Sequence, residues 1–384
     1  MKGIFSLSHV SAGFTAVLVG YTSSVVIIIQ AATQSGASPI QIESWLLVLG
    51  VMMGLTSIGL SRFYKMPILT AWSTPGAAML VVSAGEYQLS EAIGAFVVSG
   101  LMITVTGLIG PLSEALKRIP SSLGTAMLAA ILLPFCLKGF EPLQTSPILF
   151  IIMFLTYLLA KHFVPRYAML LLLSVALICA WFVTPHDAVE FQIAMAKPVW
   201  MPVTFDVSAL LNLALPLYLI TMISQNLPGV AMMKSYHYQT PVKSSLITTG
   251  VANMIFAPFG GFSANLAAIS AAICMNDSVD ADKNQRYKAV IWAGVFYLAA
   301  GLFATSVVAL FIALPADITS MLASFALLGT LLMCLHSAFM TEEYREAALL
   351  TFLITLSGVS FLGISSTLLG LAVGLIYSRF TRRT

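Results

Sequence analysis

Long apolar runs alternate with short polar connectors along almost the whole chain. Runs approaching the roughly 20 residues that cross a bilayer lie at 10–32, 45–60, 67–82, 92–112, 123–137, 147–160 and 167–183. A polar, Pro-containing stretch at 184–206, holding His186, Asp187, Glu190 and Lys197, separates this first set of seven from a second. The second set occupies 209–233, 246–259, 262–275, 289–314, 319–337 and 347–377. The last run is too long for one crossing, and Gly358 and Gly363 give it a place to fold into two, which makes seven again. The first run is also too long for the apolar core of a signal peptide, so it is read as a retained helix. The pattern predicts an all-α polytopic membrane protein with 14 transmembrane segments. Because seven is odd, the second half is inverted relative to the first, giving repeats at 1–184 and 207–384.

Two runs do not read as plain helices. PILTAWSTPGAAMLVV (67–82) and APFGGFSANLAAISAA (257–272) each open with small, polar and helix-breaking residues before an Ala-rich stretch. At an offset of 190, Trp72 meets Phe262, Ser73 meets Ser263, and Ala77-Ala78 meets Ala267-Ala268. Paired broken segments in two halves mark the binding site of many secondary transporters. Ser73 or Thr74 is expected to cap a half-helix beginning near Pro75, where a missing N–H costs least. In the second half Gly260 and Gly261 supply a flexible backbone, Ser263 the expected cap and Asn265 a further donor. Inversion sets the two half-helix N-termini head to head, and their partial positive charge and free N–H groups suit an anion, a carboxylate above all.

Charge fixes the orientation. Placing the N-terminus in the cytoplasm leaves only Lys138 and Lys197 outside, with sixteen of the eighteen Lys and Arg residues inside, as the positive-inside rule requires. Both termini are then cytoplasmic and the expected location is a bacterial inner membrane. Only 9% of residues are charged, the mean hydropathy is +0.96 and the net charge is +3, which excludes a soluble domain of roughly 25% charged residues and gives no reason to expect a nucleic-acid partner. The four cysteines sit singly in apolar runs without CxxC spacing and are read as small buried hydrophobes.

No Lys, Arg, Asp or Glu lies deep inside a run, so the usual intramembrane proton relay is absent. The five histidines are scattered, with neither HExxH spacing nor a paired carboxylate, so no metal, cofactor or catalytic centre is expected. Embedded polar groups are few. Gln225 and Asn226 stand before an expected helix break at Pro228-Gly229 and are candidates for the site. Tyr21, Trp72 and Phe262 could sandwich an aromatic ligand around a polar anchor. Ser23, Ser24 and Asn253 are read instead as interhelical hydrogen-bonding groups.

PILTAWSTPGAA, SQNLPG and GGFSANLAAISAAIC, followed by the polar loop to Gln285-Arg286-Tyr287, together resemble the BenE family of benzoate:proton symporters over essentially the whole chain. More distantly the arrangement is similar to nucleobase-ascorbate and SLC26-type transporters. That resemblance implies a short strand plus a half-helix in segments 3 and 10, a core domain from 1–118 and 207–315, and a gate domain from 119–206 and 316–384. It also implies a homodimer and elevator-like movement. Carried over residue by residue, it implies substrate contacts at Tyr21 and Thr22, at Trp72, Ser73 and Thr74, at Gln225 and Asn226, and at Gly261, Phe262, Ser263, Ala264 and Asn265. Gln225 and Ala264 stand where nucleobase carriers have acidic residues, and their loss fits an anionic substrate while removing the obvious proton site.

The expected function is import of benzoate or a similar aromatic carboxylate with a proton. The alternatives are an uncoupled or exchange carrier for another small organic anion or a nucleobase, and, from other classes, an intramembrane enzyme or a sensor.

Overall fold

The structure is a computed structural model that describes residues 6–110, 120–183 and 194–381. The expected half boundary at 184–193, the end of the fourth apolar run at 111–112, and Lys2, Lys117, Arg118, Arg382 and Arg383 lie outside the described residues.

Helices α1 (Leu7–Thr22) and α2 (Val25–Gln34) form one 28-residue apolar span broken at Ser23-Ser24. The sequence suggested an unbroken helix. The break arises because both serine hydroxyls turn back onto the Gly20 carbonyl, at 3.0 and 2.9 Å, competing with the helical ladder. Helix α3 (Pro39–Tyr64) opens on a Ser38/Gln41 capping box and leads to strand β1 (Thr70–Ala71), helix α4 (Thr74–Ser83) and helix α5 (Leu89–Leu108). Helices α6 (Ser121–Lys138), α7 (Pro147–Phe163) and α8 (Ala168–Val183) complete the first half.

The second half begins with the 29-residue span α9 (Val207–Ser235), whose N-cap Asp206 accepts the Ala209 N–H at 2.9 Å. The expected break after Asn226 does not occur. Instead α9 widens into π turns at Leu210–Ala214 and Met222–Asn226, each shortly before a proline, Pro216 or Pro228. Widening the preceding turn absorbs the missing N–H and the ring that would collide with an α-helical carbonyl. Helix α10 (Val242–Phe256), strand β2 (Asn265–Leu266), helix α11 (Ile269–Met275), and helices α12 (Tyr287–Leu302) and α13 (Ala304–Ile312) follow. The expected single run at 289–314 is bent by 61° between α12 and α13. Helices α14 (Ala316–Met340), α15 (Arg345–Ser357) and α16 (Ser366–Thr381) end the chain, with Gly358 at φ +68° and Gly363 at φ +76° turning α15 into α16.

Among the described residues six helices are long and apolar enough to cross a membrane, and the bent pair makes a seventh. They pack in two groups. In one, α3 lies on α12, α5 on α10, and α1 on both α11 and α12. Small residues bring α3 and α12 into backbone contact: a Cβ on Gly50 would lie 2.7 Å from Gly301 Cα, and one on Gly54 2.8 Å from the Gly294 carbonyl, as in small-residue seams of membrane helices. In the other group α6 packs on α14 and α15, α15 on α16, and α7 on α8. The described part of the polar stretch between the halves binds the first group, through Ala196 N–H to Leu302 O, Met201 N–H to Pro258 O and Thr204 N–H to Ser90 O.

Candidate functional site

β1 and β2 pair antiparallel, Thr70 against Leu266 and Ala71 against Asn265. Four residues of irregular backbone buried among apolar helices would be intolerable without partners for every N–H and C=O. Helix α3 supplies those for the first segment. Ser61 Oγ bonds both the N–H and the carbonyl of Ile68 at 3.1 Å, Ser57 Oγ accepts the Thr70 N–H at 3.0 Å, and Thr56 and Ser57 both bond the Thr70 hydroxyl. Two asparagines hold the second segment. Asn253 Oδ1 accepts the Ala264 N–H at 2.7 Å while its Nδ2 donates to the Ala264 carbonyl at 3.3 Å, and Asn226 Oδ1 accepts the Leu266 N–H at 3.0 Å.

The two helices leave this ladder in opposite directions. Ser73 caps α4 as expected, its Oγ accepting the Gly76 N–H at 3.0 Å, with Thr74 as the first helical residue and Pro75 beside it. The second half-helix departs from expectation. Helix α11 starts only at Ile269 behind Ala268, and Ser263 is no cap. Ser263 instead takes φ +46°, with its hydroxyl 3.0 Å from the Thr221 hydroxyl and its carbonyl accepting Asn265 Nδ2 at 2.8 Å. Strand matches strand and helix start matches helix start at an offset of 195, not 190. Asn253 holds the residue just before β2 at both its N–H and its carbonyl.

The aromatic residues also divide. The rings of Tyr21 and Trp72 meet at a tilt of 51°, with 5.1 Å between centroids, and Trp72 Nε1 donates to Ser24 Oγ at 2.8 Å. Phe262 is not with them: it is fully buried between Trp45 and Phe96, at 5.6 and 5.4 Å. It packs the core behind β2 and helps hold the turn in which Gly260 takes φ +98° and Gly261 N–H bonds Phe256 O. Thr22 turns its hydroxyl back to Leu18 O at 2.7 Å, and Gln225 lies half-buried in the second π turn. Three buried polar atoms in this region have no protein partner, the Tyr21 hydroxyl, Trp45 Nε1 and Asn265 Oδ1. Ser24 and Asn253, read from sequence as ordinary interhelical bonding groups, position Trp72 and β2. The signal available for Asn253 was an amide able to serve both backbone groups of one residue.

A cavity of about 530 Å³ opens at the α1 N-terminal end and runs from Ser8 to Val19 along α1 and from Asn276 to Ile269 along α11, with Pro165 and Tyr236 opposite. Its floor is a well-tied loop. His9 Nε2 meets Asp280 Oδ2 at 3.1 Å, and Arg286 bonds the Met275 carbonyl at the end of α11, the Asp280 carbonyl and the Asp277 carboxylate. Burial pushes the nearby Tyr238 phenol above its ordinary pKa, against the opposing pull of Arg286. His336 projects from the exposed side of α14, away from the ladder. Among the described residues no group of His, Cys, Asp or Glu could hold a metal ion.

Long apolar helices around a hydrogen-bonded pair of broken segments define a helical membrane transporter. The fold is similar to the transmembrane domain of a cyanobacterial bicarbonate transporter, BicA, with a TM-score of 0.62, 13% identity and 97% of each chain covered. It is likewise similar to murine solute carrier 26 family member A9, an anion transporter solved in the inward-facing state, with a TM-score of 0.59, 12% identity, and 99% of this chain and 69% of that one covered. The chain belongs to the BenE family, the benzoate membrane transport proteins, which it matches over residues 3–380. It is 41% identical over 365 residues to the inner membrane protein YdcO of Escherichia coli K12, covering 94% of this chain and 93% of that one. To the benzoate membrane transport protein of Acinetobacter baylyi it is 36% identical over 376 residues, covering 98% and 95%. The family and the Acinetobacter relative are both described as benzoate membrane transport proteins, and the enzyme considered from sequence falls away.

Proposed function

We propose that this protein imports benzoate or a closely similar aromatic carboxylate across a bacterial inner membrane by proton symport. The observation that carries the proposal is the meeting of the Ser73-capped start of α4 with the Tyr21–Trp72 ring pair: N–H dipoles for a carboxylate beside aromatic faces for a ring. The name of the Acinetobacter relative supports benzoate.

The chain crosses the membrane fourteen times in two inverted sevens with both termini in the cytoplasm. The antiparallel ladder and the opposite departures of α4 and α11 support this plan. The core is 1–118 with 207–315, extended by 194–206, and the gate is 119–183 with 316–384; the two packing groups support that division. The core moves as an elevator against the gate, within a homodimer. The 530 Å³ cavity that climbs from the α1 N-terminal end to the start of α11 supports an inward-facing arrangement. Substrate contacts come from Tyr21, Thr22, Trp72, Ser73, Thr74, Gln225 and Asn226 and from 261–265, with Phe262 acting through packing. Gln225 and Ala264 cannot hold a proton, so the proton travels with the substrate carboxylate. The same two residues favour a second function, uncoupled or exchange carriage of another small organic anion.

Uptake of radiolabelled benzoate into proteoliposomes, with and without an inward proton gradient, separates the two. Stimulation by the gradient supports symport. Uptake indifferent to the gradient supports the uncoupled carrier, and no uptake by folded protein sinks both for benzoate.

A further inference from the structure

A second cavity, of about 270 Å³, lies at the opposite end of the α1–α2 span, among Gln30, Gln34, Val81, Phe135 and Lys138. One wall comes from α2 and α4, which pack on each other. The other, from α6 and α14, belongs to the second packing group. In the orientation proposed above this is the outer face, and Lys138 is one of only two cationic side chains there.

Three features suit this cleft to a small organic anion. The Lys138 ammonium is exposed, and among the described residues no carboxylate lies within ion-pairing distance of it. The bare carbonyls at the end of α6 would repel an anion. Two of them, Phe135 O and Lys138 O, are instead covered by hydroxyls of α14, Ser324 at 2.9 Å and Ser320 at 3.2 Å. The nearby Asp317 carboxylate is likewise engaged, accepting from Thr145 at 3.1 Å and Ser146 at 2.7 Å. The amides of Gln30 and Gln34 add donors, and Phe135 and Val81 give an apolar surface. The volume lies below the roughly 300–1,000 Å³ of drug-sized sites, which favours a single-ring acid.

We propose that this cleft is a second, outer binding site for a small monocarboxylate, where Lys138 gathers substrate before it reaches the ladder. The proposal rests on the transport function and orientation proposed above.

The test uses full-length protein in lipid nanodiscs with its lysines ¹³C-methylated, which keeps their charge. The Lys138 signal is assigned by its loss in Lys138→Arg. Benzoate is expected to shift that signal saturably, in the wild type and equally in Ser73→Ala/Asn265→Ala, whereas neutral benzamide leaves it in place. An unmoved signal, or one moved equally by benzamide, overturns the site. In uptake from outside, Lys138→Gln is expected to raise KM about fivefold at low salt with Vmax unchanged. The difference shrinks as ionic strength rises, and Lys138→Arg restores the wild-type value. An unchanged KM in Lys138→Gln overturns the gathering role. Wild-type vesicles that take up no benzoate would refute the transport function, and the lysine titration would still decide the site.

Discussion

Trp72 and Ser24 are joined by a 2.8 Å hydrogen bond from the indole Nε1 to the serine Oγ. The bond ties the break in the first span to the residue just after β1 and next to the α4 cap, Ser73. The asymmetry of buried hydrogen bonds fixes what substitution should do. Ser24→Ala strands a buried N–H and is expected to cost about 1–3 kcal/mol. Trp72→Phe removes donor and demand together and costs less, because Ser24 Oγ keeps its bond to Gly20 O. Thermal denaturation of the two purified variants checks the order, and the reverse order contradicts it.

Asn253 serves both polar groups of Ala264. Asn253→Ala leaves two buried backbone groups unpaired, at about 1–3 kcal/mol each. Asn226→Ala strands only the Leu266 N–H. Asn253→Ala should therefore lower the unfolding midpoint more than Asn226→Ala; equal midpoints would show that Asn253 does not hold β2.

Gly260 has φ +98°, and a Cβ there would run into the indole of Trp45. Gly260→Ala is expected to give little monodisperse protein on size-exclusion chromatography. Adding Trp45→Ala recovers only part of it, since the left-handed backbone still costs roughly 1–2 kcal/mol. A monodisperse single variant would remove the turn from the fold's requirements.

Ser73→Ala removes the α4 cap, at about 1 kcal/mol, and Asn265→Ala removes the buried Oδ1 that lacks a protein partner. Together they are expected to weaken benzoate binding roughly tenfold or more while leaving a folded protein. Equilibrium binding to the purified double variant is the check, and wild-type affinity there would move the site elsewhere.

What was legible in the sequence was local. The Ser73-Thr74-Pro75 run announces a capped helix start from its own residues. Gly358 and Gly363 mark the turn that splits the last run. Features set by distant partners were hidden. The break at Ser23-Ser24 is stabilised by an indole from β1's far end. Phe262 finds Trp45 and Phe96 from α3 and α5, which no spacing near 262 reveals. The 190-residue register followed similar residues, whereas the backbone followed the strand pairing of 70–71 with 265–266. Pro228 was visible as a helix break, but its relief by a π turn at Met222–Asn226 was not.

The ladder joins residues made at very different times on the ribosome. When 70–71 enters the membrane, 265–266 has yet to be synthesised, and the first segment waits with half its pairing absent. The hydroxyls of Thr56, Ser57 and Ser61 precede it in the chain and are already beside it. Asn226 and Asn253 likewise precede β2. Each half therefore carries its own temporary lining for an otherwise naked piece of backbone, and the two can be inserted in sequence and docked last. Two separately translated halves, cut between 183 and 194 and produced in one cell, have what they need to find each other.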